Sequence, residues 1–265
     1  MVLKTRHWGS ADPACVVCVH GLTQHGGVFE EMGRRLAAAG HFVVAVDLRG
    51  HGESGAEPPW SESAHVGDLL ETIDDLGLER VSWVGHSFGG RLAAAVAARA
   101  PRRTRRLALL EPGLQVPPAR ALRAAETERL DWSFATREGA IQAILSSPTT
   151  VAAPREIVAA YVEDDLRRGP DGRLRFRCSP AAAVVAWSEM TLPAPPVTAC
   201  PTLFMRAADS LVDPAQLARY ERELGELLTV VEVGDGHNLL WESPEQTAAA
   251  VERLLAEAPA DAGRA

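Results

Sequence analysis

The sequence predicts an α/β fold in which a mostly parallel sheet is covered by helices on both faces. Two observations carry this. Short apolar runs bounded by turn residues alternate with helical stretches along the chain. The runs are also apolar at nearly every position rather than at every second one. A strand apolar on both sides must be covered on both sides, which parallel sheets achieve with their crossover helices. The 265 residues, 46% hydrophobic, are enough for one large domain with a substantial core.

The first run, VVCVH (Val16 to His20), reads as a buried strand, followed by a helix over Val28 to Ala39 that stops at Gly40. FVVAVD (Phe42 to Asp47) is the second strand, followed by the Gly-rich turn LRGHGESG and an amphipathic helix from Ser63 to Leu76. RVSWVG is the third strand, Arg91 to Arg99 an alanine-rich helix, and RRLALLE the fourth strand. The alternation then lapses. Residues 112–196 read as helical and irregular, and Pro193, Pro195 and Pro196 close the segment. The pattern resumes with TLFMRA, a helix from Pro214 to Leu224, LTVVEV and a helix from Pro244 to Ala256. Residues 1–111 and 197–265 therefore read as one α/β domain carrying a helical insertion at 112–196. The tail PADAGRA reads as frayed.

Charge and cysteine usage bound the function. A net charge of −8 argues against a nucleic-acid or anionic-membrane surface. The basic cluster Arg102, Arg103, Arg105 and Arg106 is local and reads as a solvated helix end. No N-terminal apolar stretch is long enough for a signal peptide or membrane span, so cytoplasmic residence without stable membrane association is expected. Cys15 and Cys18 have C-x-x-C spacing, but residues three apart in a strand point to opposite faces. They read, with Cys178 and Cys200, as reduced and structural.

The chemistry starts at VGHSFGG. In G-x-S-x-G the serine occupies a sharp strand-to-helix turn, and here a strand precedes it and a helix follows. Gly85 and Gly89 leave room for neighbouring backbone, and Ser87 is lifted above the sheet as a candidate nucleophile. A hydroxyl needs a base to take its proton. His86 adjoins Ser87, but neighbours on a tight turn point apart, so it reads as structural. His237, in GDGHNLLWESPEQ between the last strand and the last helix, is the expected base. A tetrahedral intermediate needs two donors. The expected ones are the backbone N–H groups of Phe88, directly after the serine, and of Leu22, in the HGLTQHGG loop.

These segments give the chain its resemblance. HGLTQHGG, DLRGHGESG, VGHSFGGRLA, PTLFMRAADS and GDGHNLLWESPE resemble, in order and across the catalytic domain, the α/β-hydrolase fold superfamily of esterase/lipase type. The resemblance implies a mostly parallel central sheet with a helical cap inserted after the sixth family strand, which fits 112–196. It implies a Ser-His-acid triad, with no metal and no organic cofactor. One position departs from the pattern. Where the family usually places an aspartate after the penultimate strand, RAADSLVDP has Ser210, with Asp209 one residue early and Asp213 three late. Some relatives take the acid from the preceding strand, where this chain has Glu111. Asp209 is the preferred acid, with Glu111 competing and Asp213 third.

A serine at the elbow implies an acyl-enzyme and hence a small-molecule ester substrate. The same triad also serves carbon–carbon hydrolysis of ring-fission diketones and lactone or amide hydrolysis. A binding module that lost turnover is disfavoured by the presence of serine, histidine and acid. Trp132, Phe134, Phe176 and Trp187 of the insertion either pack its helices or line an apolar acyl pocket. Acyl length, leaving group and oligomeric state are not encoded in these patterns.

Overall fold

The computed structural model describes residues 1–10, 15–147, 152–210, 212–234 and 236–256. Its first strand, β1 (Thr5–Trp8), is only partly buried and pairs antiparallel with a later strand. It escapes the sequence pattern because TRHW is an edge strand with no continuous apolar run. Strand β2 (Cys15–Val19) is buried at all five positions. The helical stretch predicted from Val28 resolves into a 3₁₀ turn, Gly26–Phe29, and helix α1 (Glu30–Ala38). Then follow β3 (Phe42–Val46), α2 (Glu62–Asp75), β4 (Val81–His86), α3 (Phe88–Arg99) and β5 (Thr104–Leu110). Helix α2 starts where the Ser61 side chain accepts from the Ala64 N–H, satisfying a donor with no partner inside the helix. Helix α3 begins immediately after Ser87, three residues earlier than the alanine run suggested.

After β5 the chain leaves the sheet. It forms α4 (Pro118–Glu128), a two-residue strand β6 (Ser133–Phe134), α5 (Arg137–Leu145) and α6 (Arg155–Asp165). Strands β7 (Arg167–Arg168) and β8 (Leu174–Arg175) and helix α7 (Pro180–Glu189) complete the segment. The insertion is thus not purely helical: β6, β8 and β7 form a small antiparallel sheet. Strands of two residues carry no periodicity to read. The chain rejoins the main sheet with β9 (Thr202–Arg206), α8 (Pro214–Leu224), β10 (Leu228–Glu232), the short α9 (Leu239–Glu242) and α10 (Pro244–Ala256). The tail expected to fray lies outside the described residues.

The main sheet has the order β1-β3-β2-β4-β5-β9-β10, and every pairing except β1–β3 is parallel. Its two faces carry separate cores. On one, Val17, Val44 and Trp83 meet Leu69 of α2, Leu92 of α3 and Tyr220 of α8. On the other, Val16, Val43 and Val84 meet Leu36 of α1 and Val251 of α10. Cys15 belongs to the first core and Cys18 to the second, so the C-x-x-C pair is split by the sheet, and all four cysteines are free thiols.

Candidate active site

Ser87 joins β4 to α3 with φ 53° and ψ −118°, in the left-handed half of backbone space. A non-glycine residue there costs about 1–3 kcal/mol and persists only where its surroundings impose it. The clamp is visible: the Ser87 N–H donates to the Leu110 carbonyl at 3.0 Å, and the Ser87 carbonyl accepts from Gly113 at 2.9 Å and Gly90 at 3.0 Å. Both elbow glycines are sterically required. A Cβ on Gly89 would run into the carbonyl oxygens of Val19 and His20, and one on Gly85 into the carbonyl of Gly89. These obstacles are backbone and cannot rotate away. The turn lifts the Ser87 hydroxyl to where it donates to His237 Nε2 at 2.9 Å.

His237 is carried by the loop between β10 and α9, as its place in the sequence suggests. The loop is fixed from two sides. His86 Nε2 donates to the His237 carbonyl at 3.0 Å, and the Asn238 N–H donates to the Glu242 carboxylate at 3.1 Å. His86 thus holds the backbone of the loop that carries His237. Neither Glu242 nor this bond was legible beforehand.

Of the three acids weighed, the structure brings Glu111 to the histidine. The carboxylate that faces His237 Nδ1 is Glu111, with Oε1 at 3.8 Å, and not Asp209. Asp209 is exposed on the turn after β9, and Asp213, also exposed, caps α8 by accepting from the Ala215 N–H at 2.9 Å. Glu111 is buried and has φ 44°, a second strained residue at the site. Its carboxylate accepts from the Ala207 N–H at 2.9 Å and from the Ser210 hydroxyl at 2.9 Å. Ser210, at the position where the resemblance implied an aspartate, thus binds the Glu111 carboxylate. At 3.8 Å the imidazole contact is longer than a hydrogen bond, and such catalytic contacts commonly tighten only when substrate is bound.

The loop after β2 approaches the nucleophile from the other side. A Cβ on Gly21 would lie 3.1 Å from Ser87 Cβ, so only glycine lets the loop come this close. Gln24 Oε1 accepts from the Gly21 N–H at 3.1 Å, and the next residue but one after Gly21, Thr23, is left-handed at φ 58°. His20 fastens the base of the loop: its Nδ1 donates to the Gly21 carbonyl at 2.7 Å and its Nε2 accepts from the Leu48 N–H at 2.9 Å. Phe88 follows Ser87 directly in the chain, and Leu22, on the loop after β2, lines the same cavity as Ser87. Among the described residues neither N–H is taken by a protein acceptor. Phe88 is the first residue of α3, where backbone N–H groups lack intrahelical partners and the helix end favours negative charge.

Five buried histidines surround this machinery, and burial holds all of them neutral. It pushes His25, His51 and His65 down to about 4 and His86 to about 3, and holds His20 well below the ordinary imidazole range. An unfolded chain would take up protons at these sites below pH ~6.5 while the folded chain would not, so stability must fall as pH falls. Burial raises Asp165 to about 6 and raises Glu128 as well, which opposes this, but two carboxyls do not offset five imidazoles. Each histidine lowered to about 4 contributes a loss of roughly 2 kcal/mol by about pH 5. Thermal melts should therefore show a steep fall in Tm between pH ~6.5 and ~4, with net proton uptake on unfolding. A melting temperature independent of pH across that window would contradict these environments.

Ser87, Glu111 and His237 open into a cavity of about 670 Å³. Its walls come from both the catalytic loops and the insertion, including Leu114, Val116, Phe176, Trp187, Met190 and Trp241. Of the four aromatics singled out in the insertion, Trp132, Phe176 and Trp187 line the cavity, whereas Phe134 packs edge-on against Phe176 at 5.6 Å. Among the described residues, no helix is long and apolar enough to cross a membrane.

Comparison with known proteins agrees with this fold. A family model described as alpha/beta hydrolase fold matches residues 15–244. Lipase LipV of Mycobacterium tuberculosis is 31% identical over 262 residues, covering 96% of this chain and 97% of the lipase. Esterase YbfF of Escherichia coli is 32% identical over 98 residues, covering 36% of this chain and 37% of the esterase. Among solved structures, E-2-(acetamidomethylene)succinate hydrolase superposes with a TM-score of 0.81 at 26% identity, covering 96% of this chain and 94% of its own.

Proposed function

The chain belongs to the α/β-hydrolase fold family, and from that premise we propose that it is a serine hydrolase cleaving carboxylic esters through an acyl-enzyme on Ser87. Its lipase and esterase relatives support action on esters. The observation that carries the mechanism is the 2.9 Å bond from a strained, cavity-facing Ser87 hydroxyl to His237 Nε2.

The steps follow from the atoms. Ser87 Oγ attacks the ester carbonyl while His237 Nε2 takes its proton. The N–H groups of Leu22 and Phe88 stabilise the oxyanion, and Glu111 holds Nδ1 protonated and supports the imidazolium. His237 returns the proton to the departing alcohol, then activates a water that releases the acid. No step requires a metal or organic cofactor. The residues that line the cavity around Ser87 are mainly apolar, which suits an acyl part with apolar character.

Incubation with a fluorophosphonate should add mass to the peptide containing Ser87 and to no other. A panel of chromogenic acyl esters, acyl lactones and a coloured ring-fission dienol should show turnover greatest on the esters. Labelling elsewhere would remove the nucleophile assignment. Preference for the dienol would move the reaction to carbon–carbon hydrolysis.

A further inference from the structure

The cavity wall contributed by the insertion carries a carboxyl group that the reaction does not use. Glu128, the last residue of α4, lines the same cavity as Ser87 and is partly buried there. Among the described residues it takes a hydrogen bond from the indole N–H of Trp187, at 3.4 Å. Among the described residues it makes no ion pair. Two arginines also line the cavity, and neither pairs with Glu128. Arg175, on the same cavity wall, is held by Asp171 at 2.8 Å and Asp131 at 3.5 Å. Arg129 is exposed, and Arg120, which lines the cavity further along, sits two helical turns back from Glu128 on α4.

A half-buried carboxylate without a counter-charge has lost hydration and gained little in return. Burial accordingly raises the Glu128 carboxyl above its ordinary range, with the Trp187 bond working the other way. Two further features bias this end of the cavity toward positive charge. Glu128 stands in the last turn of α4, where the helix carries its negative end. Trp132, Phe176 and Trp187 line the cavity with it, and aromatic faces attract cations, quaternary ammonium above all.

We infer that Glu128 is a specificity residue that selects ester substrates whose acyl part carries a cationic group and disfavours those carrying an anion. This rests on the ester-hydrolase reading of the same cavity. A bound ammonium supplies the missing counter-charge to Glu128 while the ester carbonyl lies at Ser87. The contact is made equally in the ground and transition states, so it acts on KM and leaves kcat unchanged.

The test compares p-nitrophenyl esters of three acyl chains of equal length, ending in trimethylammonium, the isosteric tert-butyl group or carboxylate. The expected order of kcat/KM in the native enzyme is cation, neutral, anion, with the cationic ester favoured about tenfold over its isostere through KM. Glu128→Gln should erase that preference while leaving the neutral ester unchanged, which also reports that the variant is folded. The inference is overturned if the native enzyme handles the neutral ester as well as the cationic one, or if the preference survives in the variant. The native series decides the matter even if Glu128→Gln does not fold. If none of the three esters is turned over, it is the ester-hydrolase reading that fails.

Discussion

Ser87→Ala is expected to lower kcat by about a millionfold while the protein keeps its fold. The substitution removes one atom, Oγ, and with it the hydrogen bond to His237 Nε2 at 2.9 Å. Nothing in the packing depends on that atom. The elbow is held by backbone bonds from Ser87 to Leu110, Gly90 and Gly113, all of which alanine preserves. Melting temperature should therefore stay level while turnover vanishes. His237→Ala belongs to the same expectation, since triad members act as a unit and removing either costs about as much as removing both. His86→Ala should act differently. It takes a buried donor from the His237 carbonyl and leaves a void, so its first effect is on stability and loop position. The readout is kcat on a chromogenic ester beside a thermal melt, in preparations freed of host hydrolases. Turnover near the native level in Ser87→Ala would end the acyl-enzyme mechanism.

The parts of this site that were legible are those fixed by local sequence. VGHSFGG must follow a strand and open a helix, because a glycine at each end is what the close backbone contacts at Gly85 and Gly89 permit. The place of His237 followed from strand order, since loops at the carboxyl ends of parallel strands converge. What stayed hidden depended on side-chain direction across the sheet. Asp209 and Glu111 both follow the end of a main-sheet strand, and counting residues does not show that one faces solvent and the other is buried. A physical signal was nonetheless present. RRLALLE runs from the buried apolar stretch 107–110 of a parallel strand straight into an acid, and a carboxylate continuing a buried strand must have partners to remain there. Ser210 supplies one of them, so the residue that stands where an aspartate was expected is the one that holds the Glu111 carboxylate. The edge strand β1 and the two-residue strands of the insertion were invisible for a simpler reason: they contain too few buried positions to make a pattern.

Glu111→Gln is therefore expected to lower kcat by about four orders of magnitude, and Asp209→Asn and Asp213→Asn to change it little. The reasoning runs through the hydrogen bonds of the carboxylate. Oε2 accepts from the Ala207 N–H at 2.9 Å, so in the amide the carbonyl oxygen must stay at that place. The NH₂ group then takes the place of Oε1, the atom that faces His237 Nδ1 at 3.8 Å. Ser210 can turn its hydroxyl to accept from the amide, so the buried group keeps its partners and the fold should tolerate the change. The imidazole does not. A donor opposite Nδ1 favours the tautomer with its proton on Nε2, which cannot accept from Ser87, and the negative charge that would stabilise the imidazolium is gone. Asp209 is exposed and Asp213 is occupied in capping α8, so neither amide alters the histidine. Measured kcat values for the three variants, with melts to show that each is folded, separate the cases. A crippled Asp209→Asn beside an active Glu111→Gln would return the acid to the loop after β9. If all three variants keep native turnover, Ser87 and His237 work as a dyad, and Glu111 serves only to bind the Ala207–Ser210 turn.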